Sequence, residues 1–230
     1  MTGKLYIRVR TPYEAECAEK GGADRLVLMT GDNLSPTPEV VDKVRKASTV
    51  ELRVVLRLRE DFGTDGGEMT RLIGLASAAR QAGADGFVLG FLNGLSGIDV
   101  DACSTLIGDD TWPWTFDRAI DAALDQDRAW QDLAGLPRLD SVMTAGSARE
   151  VEQGIDRLIA LANAPVPVVA AGGLLPEHVP WLVRGGITHF FVDQSPVEAD
   201  QVRAWRRLID LESARLAARS GHVAEELDAS

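Results

Sequence analysis

The chain is poor in the residues that most often build metal and nucleophilic sites, with 2 cysteines and 3 histidines among 230 residues. Cys17 and Cys103 have no partner at metal-ligand spacing, so we expect two buried, unpaired thiols rather than a disulfide framework. His178 falls in a predicted helix, His189 opens a predicted strand and His222 lies in the tail. No histidine metal or acid–base site is therefore expected, and serine hydrolase triads are excluded for want of a glycine elbow with a histidine partner.

Positive charge and long apolar runs are also scarce. The chain has 24 basic and 35 acidic residues, and its formal net charge of −11 argues against a nucleic-acid partner. A few local arginines can still make one pocket attractive to an anion. No run approaches the roughly 20 apolar residues of a membrane span, and the N-terminus does not resemble a signal peptide. We therefore expect a cytoplasmic protein with no membrane partner.

Short apolar strands alternate with amphipathic or small-residue helices along the whole chain. Strands are predicted at residues 5–9, 25–29, 53–59, 86–91, 112–116, 141–144, 166–170 and 189–192. Eight such repeats predict a single α/β domain, a (β/α)8 TIM barrel over residues 1–217, followed by a flexible tail at 218–230. A doubly wound open sheet is the alternative, but it would need fewer strands or a second domain.

Strand five carries the sharpest local pattern. Between Thr111 and Asp117, residues Trp112, Trp114 and Phe116 share one face of an extended segment, while Thr115 and Asp117 share the other. In a parallel barrel the aromatic face packs on helices, and the polar face leads up to the pocket at the carboxyl ends of the strands. We interpret this strand end as the floor of a site.

Charged and small residues follow several predicted strands, where the active sites of such barrels lie. The candidate ligand-binding residues are Arg8, Arg57, Arg59, Arg118, Thr144, Gly146, Gly172 and Gly173, and the candidate catalytic residues are Asp61, Asp117 and Asp121. Arginine there favours a carboxylate or phosphate ligand, although Arg57 or Arg59 paired with Asp117 or Asp61 could equally be a structural brace. No metal-binding residue and no cofactor is evident.

The glycine pair at residues 172 and 173 leaves two interpretations open. Glycines after strand seven let backbone amides approach an anion, or they simply allow a tight turn. Asp193, after strand eight, stands where a phosphate would meet a carboxylate.

An ordered set of short motifs resembles the CutC copper-homeostasis family. The motifs lie at residues 21–26, 34–38, 57–62, 83–90, 115–121, 143–146 and 171–173. The resemblance implies a cytoplasmic (β/α)8 barrel that is a homodimer or a larger homo-oligomer, associated with copper tolerance and proposed to bind copper.

Several positions depart from that family. Where it typically has glutamate and cysteine, this chain has Tyr6 and Arg8 on strand one, and Val27 and Met29 on strand two; the strand-five and strand-eight histidines correspond to Asp117 and Phe191. The thiolate and imidazole ligands that copper prefers are thus absent, and Met29 alone is a poor substitute.

Three hypotheses follow. The first is a CutC-like copper homeostasis protein, with possible copper binding implied by the resemblance alone. The second is an enzyme of lyase or isomerase type, or a sensor, that binds a small phosphate or carboxylate metabolite through the mouth arginines, with an aspartate as general base. The third is a barrel without chemistry, kept for assembly, whose rim would be filled by arginine–aspartate pairs and would leave no cavity.

Overall fold

The backbone closes on itself as a parallel barrel in which each strand pairs with the next and the eighth pairs with the first. The computed structural model describes residues 3–108 and 112–228, with side chains up to residue 219. The strands are β1 (Lys4–Val9), β2 (Arg25–Leu28), β3 (Glu51–Val55), β4 (Gly86–Leu89), β5 (Trp114–Phe116), β6 (Leu139–Thr144), β7 (Val168–Ala170) and β8 (His189–Val192). The TIM-barrel prediction is confirmed. Thr111, the first residue of the strand-five pattern, lies outside the described residues.

Helices follow the strands around the outside. They are α1 (Pro12–Gly21), α2 (Pro38–Ala47), α3 (Gly66–Gln81), α4 (Val100–Ile107), α5 (Gln126–Ala134), α6 (Val151–Ala160), α7 (Val179–Arg184) and α8 (Ala199–Asp228), with 3-10 helices at Arg118–Ala122 and Pro176–His178. Local chemistry sets their ends. The Thr11 hydroxyl accepts the Glu14 N–H before α1, and Gly22 closes it at φ 90°. No helix in the described part of the chain is long and apolar enough to cross a membrane.

Three element boundaries differ from the sequence prediction. Strand β3 stops at Val55 rather than residue 59, because the Ser35 hydroxyl, and not a neighbouring strand, accepts the Arg57 N–H at 2.8 Å. The single helix expected after β5 is split, since the backbone at Ala123 is extended and the Asp125 carboxylate caps a new helix. Helix α8 continues past residue 217, where the barrel domain was predicted to end, to Asp228; the domain bounds and the mobility of the tail stay predictions.

Two separate sets of apolar side chains hold the barrel. The larger lies between strands and helices and contains Trp114 and Phe116, which are almost completely buried, as the alternation on strand five predicts. The smaller fills the barrel interior and consists of Tyr6, Val27, Met29, Val55, Val88, Met143, Val169, Ala171 and Phe191. Because neighbouring residues on a strand point to opposite faces, each strand contributes to both sets.

Charged side chains, rather than apolar ones, close the amino-terminal end of the barrel. Arg53, 1% exposed, donates from Nε to Glu51 at 2.7 Å and from Nη2 to Asp140 at 2.6 Å. Arg25 donates to the same two carboxylates at 3.0 and 3.3 Å, and its guanidinium lies 4.4 Å from the centre of the Tyr6 ring. Burial raises the pKa of Tyr6 to about 12, so the phenol is neutral. We call these five residues the charged plug.

His189 lies beside the plug, at the end of the barrel opposite the expected site. Its ring meets Tyr6 edge-on at 5.8 Å, and its Nδ1 hydrogen-bonds the Thr188 hydroxyl at 3.0 Å. Burial, followed by the positive charges of Arg25 and Lys4, lowers the pKa of His189 below its usual 6.5.

This lowered pKa predicts acid sensitivity. Below about pH 6.5 the unfolded chain binds a proton at His189 more readily than the folded chain does. The free energy of unfolding should therefore fall as the pH drops from 7 to 5, and less steeply in His189→Gln. Urea unfolding of both proteins at each pH measures the difference; equal slopes would contradict the assignment.

Replacing either of two helical glycines with alanine should change the stability of the fold, in opposite directions. The Cβ of Gly74→Ala, inside α3, meets nothing within 4 Å, so it should stabilise the fold by about 0.5–1 kcal/mol. The Cβ of Gly154→Ala, inside α6, would overlap the Ala145 carbonyl oxygen, so it should destabilise by about 1–3 kcal/mol. Urea unfolding of the two variants checks both signs, and stabilisation by Gly154→Ala would refute the close packing of α6 on β6.

Candidate functional site

A cavity of about 380 Å³ opens at the carboxyl ends of the strands. Its floor is apolar and is formed by inward-facing side chains of the barrel interior: Met29, Val55, Val88, Met143, Ala171 and Phe191. Its polar side is formed by Arg57, Asp117, Arg118 and Asp121, with Asn33, Glu60 and Asp193 at the rim. Arg57 and the consecutive residues Asp117 and Arg118, 60 positions further along the chain, thus converge on one opening.

Arg57 and Asp117 form the first ion pair of the mouth. Arg57 Nη2 donates to Asp117 Oδ2, and the guanidinium lies 4.5 Å from the centre of the Phe62 ring. Asp117 Oδ1 accepts the Ala119 N–H at 2.9 Å and fits against Gly90, where any Cβ would overlap it. Burial raises the pKa of Asp117, and the nearby Arg57 opposes that shift. The ion pair that the brace interpretation requires is therefore present, and both side chains also line the cavity.

Asp121 forms the second pair and holds Arg118 in place. Its carboxylate is buried and accepts three hydrogen bonds, from the Thr144 hydroxyl, the Ala145 N–H at 2.9 Å and Arg118 Nε at 2.8 Å. Arg118 Nη2 also donates to the Arg149 carbonyl oxygen at 2.5 Å. With these donors around its carboxylate, Asp121 is suited to position Arg118.

Arg8 and Asp193 form the third pair, between β1 and the loop after β8. Arg8 Nη1 donates to Asp193 Oδ1 at 2.7 Å, and Nη2 donates to the Gly31 carbonyl oxygen at 3.2 Å. Asp193 lines the cavity, whereas Arg8 lies behind it. The Asp193 carboxylate thus lies at the cavity, after strand eight, as expected from the sequence.

Six of the candidate residues do not line the cavity: Arg8, Arg59, Asp61, Thr144, Gly146 and Gly173. Arg59 pairs with Asp65 at 2.8 Å and Glu68 at 2.6 Å, and the exposed Asp61 accepts the Gly63 N–H. Both residues come after β3, which ends earlier than predicted, and the chain turns outward there. Their predicted ligand-binding and catalytic roles therefore lose their geometric basis. Gly146, at φ 72°, packs on Gly154 of α6 and donates its N–H to Thr144.

The glycine pair after β7 makes room for side chains of the protein itself. A Cβ on Gly172 would overlap the Arg118 guanidinium, and one on Gly173 would lie 2.6 Å from the Glu150 carboxyl. Both glycines have positive φ, 95° and 63°. Glu150 thus packs against Gly173 on the side where a Cβ would lie, and Gly173 does not line the cavity.

Sequence reasoning missed several cavity residues. Met143 and Phe191 line the floor, and strand alternation on β6 and β8 could have placed them there. Asn33 and Glu60 belong to loops, and no local pattern indicates which way they face.

The mouth offers little to a copper ion. Cys17 and Cys103 are free, buried in α1 and α4, and Met29 and Met143 are the sulfur-containing side chains at the cavity. Burial raises the pKa of Cys103 to about 12, which keeps it a thiol. Within residues 3–108 and 112–228, no group of three or more His, Cys, Asp or Glu side chains is arranged to hold a metal. These residues do not fit copper, which prefers thiolate and imidazole donors.

Comparison with known proteins agrees with the fold. A family model described as the CutC family matches residues 4–195. The human "Copper homeostasis protein cutC homolog" is 31% identical over 182 residues, covering 75% of this chain and 66% of the human one. A CutC family protein of Aliivibrio fischeri is 28% identical over 174 residues, covering 71% of this chain and 70% of its own. A crystal structure of a Streptococcus agalactiae CutC protein superposes with a TM-score of 0.75 at 19% identity, covering 82% and 97% of the two chains.

Proposed function

Since the chain belongs to the CutC family, we propose that it acts in copper homeostasis. One observation supports the proposal: the family match runs from residue 4 to residue 195 and so spans all eight strands. The human relative that matches three quarters of this chain carries copper homeostasis in its name. The chain spans about two thirds of that relative's length, so the role is carried over as a proposal.

We propose further that this role does not depend on copper held at the barrel mouth. Arg8, Asp117 and Phe191 replace residues that could bind a soft metal, and Arg8 adds positive charge where a cation would lie. No reaction step is assigned to a bound metal.

Copper tolerance tests the main proposal. Disrupting the gene in its own host should lower the copper concentration at which growth stops, and the wild-type chain should restore it. A variant with both cysteines replaced, Cys17→Ala and Cys103→Ala, should restore tolerance equally if thiols play no part. Unchanged tolerance after disruption would refute the proposal. Cu(I) titration against a chromophoric chelator tests the second proposal, because one equivalent of copper held by the chain would contradict it.

The cytoplasmic location and a homodimeric or larger assembly are also proposals, taken from the family resemblance. Trp181 on α7 is 60% exposed and Leu211 on the adjacent α8 is 49% exposed, and large exposed apolar side chains are typical of subunit contacts. Light scattering of the purified chain tests assembly, and a monomer at micromolar concentration would refute it.

A second candidate function is the binding of a small anionic metabolite at the mouth, as an enzyme of lyase or isomerase type or as a sensor. It is favoured by a specific observation: the cavity of about 380 Å³ has Arg57 and Arg118 in its wall, beside Asp117 as a possible general base. A barrel without chemistry was expected to have a rim filled by arginine–aspartate pairs and to leave no cavity. The pairs are present, but a cavity lies between them, so this alternative is less well supported.

Thermal shift measurements test this candidate. Phosphates and carboxylates should raise the melting temperature of the wild-type chain by binding its native state. Arg57→Ala and Asp117→Asn should remain folded and lose that shift. If both variants unfold, the residues are structural braces and the candidate function fails.

A further inference from the structure

We propose that the mouth cavity takes a small monocarboxylate whose carbon chain carries hydrogen-bond donors, and that Arg118 binds the carboxylate. This inference rests on the second candidate function and narrows its ligand from anions in general to one chemical class. Four features of the cavity lead to it.

The first feature is that Arg118 is held in place but retains an unused donor. Asp121 fixes its Nε, the Arg149 carbonyl oxygen fixes its Nη2, and Gly172 packs against its guanidinium. Nothing in the described part of the chain accepts a hydrogen bond from Nη1, and the side chain is 35% exposed at the cavity wall. A prepositioned guanidinium loses little side-chain entropy when a carboxylate binds.

The second feature is the balance of charge around the cavity. Among the described residues that line it, two carry guanidiniums and four carry carboxylates, Asp117, Asp121, Glu60 and Asp193. The third guanidinium of the mouth, that of Arg8, is bonded to Asp193. A monocarboxylate adds one negative charge to this setting and a phosphate dianion adds two, so the dianion meets the stronger repulsion.

The third feature is the loop after β7. Backbone amides at such a loop bind phosphate only when the glycines leave open space. Here Arg118 and Glu150 occupy the space against Gly172 and Gly173, and Glu150 brings a carboxylate. A phosphate bound at this loop would therefore lie close to the Glu150 carboxyl, which disfavours a dianion there.

The fourth feature explains the donors on the ligand. The carboxylate oxygens of Asp117, Glu60 and Asp193 accept hydrogen bonds, so a ligand that reaches them must bring hydroxyl or ammonium groups. The floor beneath, with Val88, Met143 and Phe191, suits the carbon chain between those groups and the carboxylate.

Four probes with the same six-carbon skeleton test the class by isothermal titration of the full chain. Gluconate carries hydroxyls and one carboxylate, glucosaminate replaces one hydroxyl with an ammonium, glucitol lacks the carboxylate, and glucitol 6-phosphate carries a dianion instead. We expect gluconate or glucosaminate to bind at least tenfold more tightly than glucitol and glucitol 6-phosphate. Whichever of the two is tighter identifies the donor type.

Two variants assign the carboxylate to Arg118. Arg118→Gln should weaken binding of the tighter monocarboxylate at least tenfold, whereas Arg128→Gln, the same change at an exposed arginine of α5, should leave it unchanged. Gly172→Ala should also weaken binding, because its Cβ displaces Arg118. Gly22→Ala is its control: it too places alanine at positive φ, 90°, but lies beside Arg206 at the end of α1.

The outcomes separate the inference from the function on which it rests. If glucitol 6-phosphate binds most tightly, the inference is wrong and the anion-binding function stands. If none of the four probes binds, both are overturned. If a monocarboxylate binds equally well to Arg118→Gln and the wild type, the assignment of Arg118 is wrong.

Discussion

Arg53→Ala is expected to lower the free energy of unfolding by about 3–5 kcal/mol, because it removes one partner of a buried charge network. Arg53 is 1% exposed and bonds both Glu51 and Asp140 within the charged plug. Without it, Arg25 alone faces two carboxylates, and a cavity remains where the side chain packed against Gly86. For a domain of this size the change corresponds to a fall in melting temperature of roughly 6–20 °C.

Two further variants separate charge from packing at Arg53. Arg53→Met refills the space without the charge, so it should recover part of the loss and identify how much was packing. Lys46→Ala breaks a solvent-exposed pair with Asp42 on α2 and should cost less than about 1 kcal/mol. Urea unfolding at pH 7 measures all three. A loss for Arg53→Ala no larger than that for Lys46→Ala would show that the plug does not stabilise the barrel.

Asp121→Ala should destabilise the fold by about 2–4 kcal/mol and release Arg118 from the cavity wall. Three donors lose their acceptor together: the Thr144 hydroxyl, the Ala145 N–H and Arg118 Nε. The Ala145 N–H is buried and cannot reach water, whereas the partly exposed Arg118 can, which is why the loss should be smaller than for Arg53.

Asp121→Asn should be intermediate. Its amide oxygen can accept from the Ala145 N–H and Arg118, while its amide nitrogen faces the Thr144 hydroxyl and the negative charge is lost. Asp127→Ala, which breaks an exposed pair with Arg157 on α6, should change stability by less than about 1 kcal/mol. Urea unfolding gives the order of the three variants. If Asp121→Ala matched Asp127→Ala, Asp121 would not be the residue that positions Arg118.

The two ends of the barrel use the same side chains for different purposes. At the amino-terminal end, guanidiniums and carboxylates form a packed cluster beneath the interior apolar set, in which Arg25 Nη1 and Arg53 Nη1 are buried with no acceptor among the described residues. At the carboxyl end, Arg57–Asp117 and Arg118–Asp121 stand around an open volume, and Arg57 Nε is buried with no acceptor among the described residues. Ion pairing alone therefore leaves a buried guanidinium N–H at the mouth without a hydrogen-bond acceptor.

The comparison between sequence and structure is clearest on β3. Alternation correctly placed Arg57 on the face that leads to the mouth. The same alternation, continued two residues further, placed Arg59 there as well; this failed because the backbone beyond Val55 stays hydrogen-bonded to its neighbours at Leu56 and Arg57, whereas Arg59 turns outward to Asp65 and Glu68. A periodic pattern shows the face on which a residue lies only while its strand lasts.

The sequence by itself determined the number and order of strands and helices, the barrel they close, the family, and the aromatic and polar faces of strand five. These follow from patterns of neighbouring residues, which local sterics and the burial of apolar groups translate directly into structure. Only the tertiary structure decided which aspartate each arginine meets, that Gly172 makes room for Arg118, and that a charged plug closes the opposite end. Those pairings join residues up to 185 positions apart, as Arg8 and Asp193 are, and no local pattern contains the distances that select them.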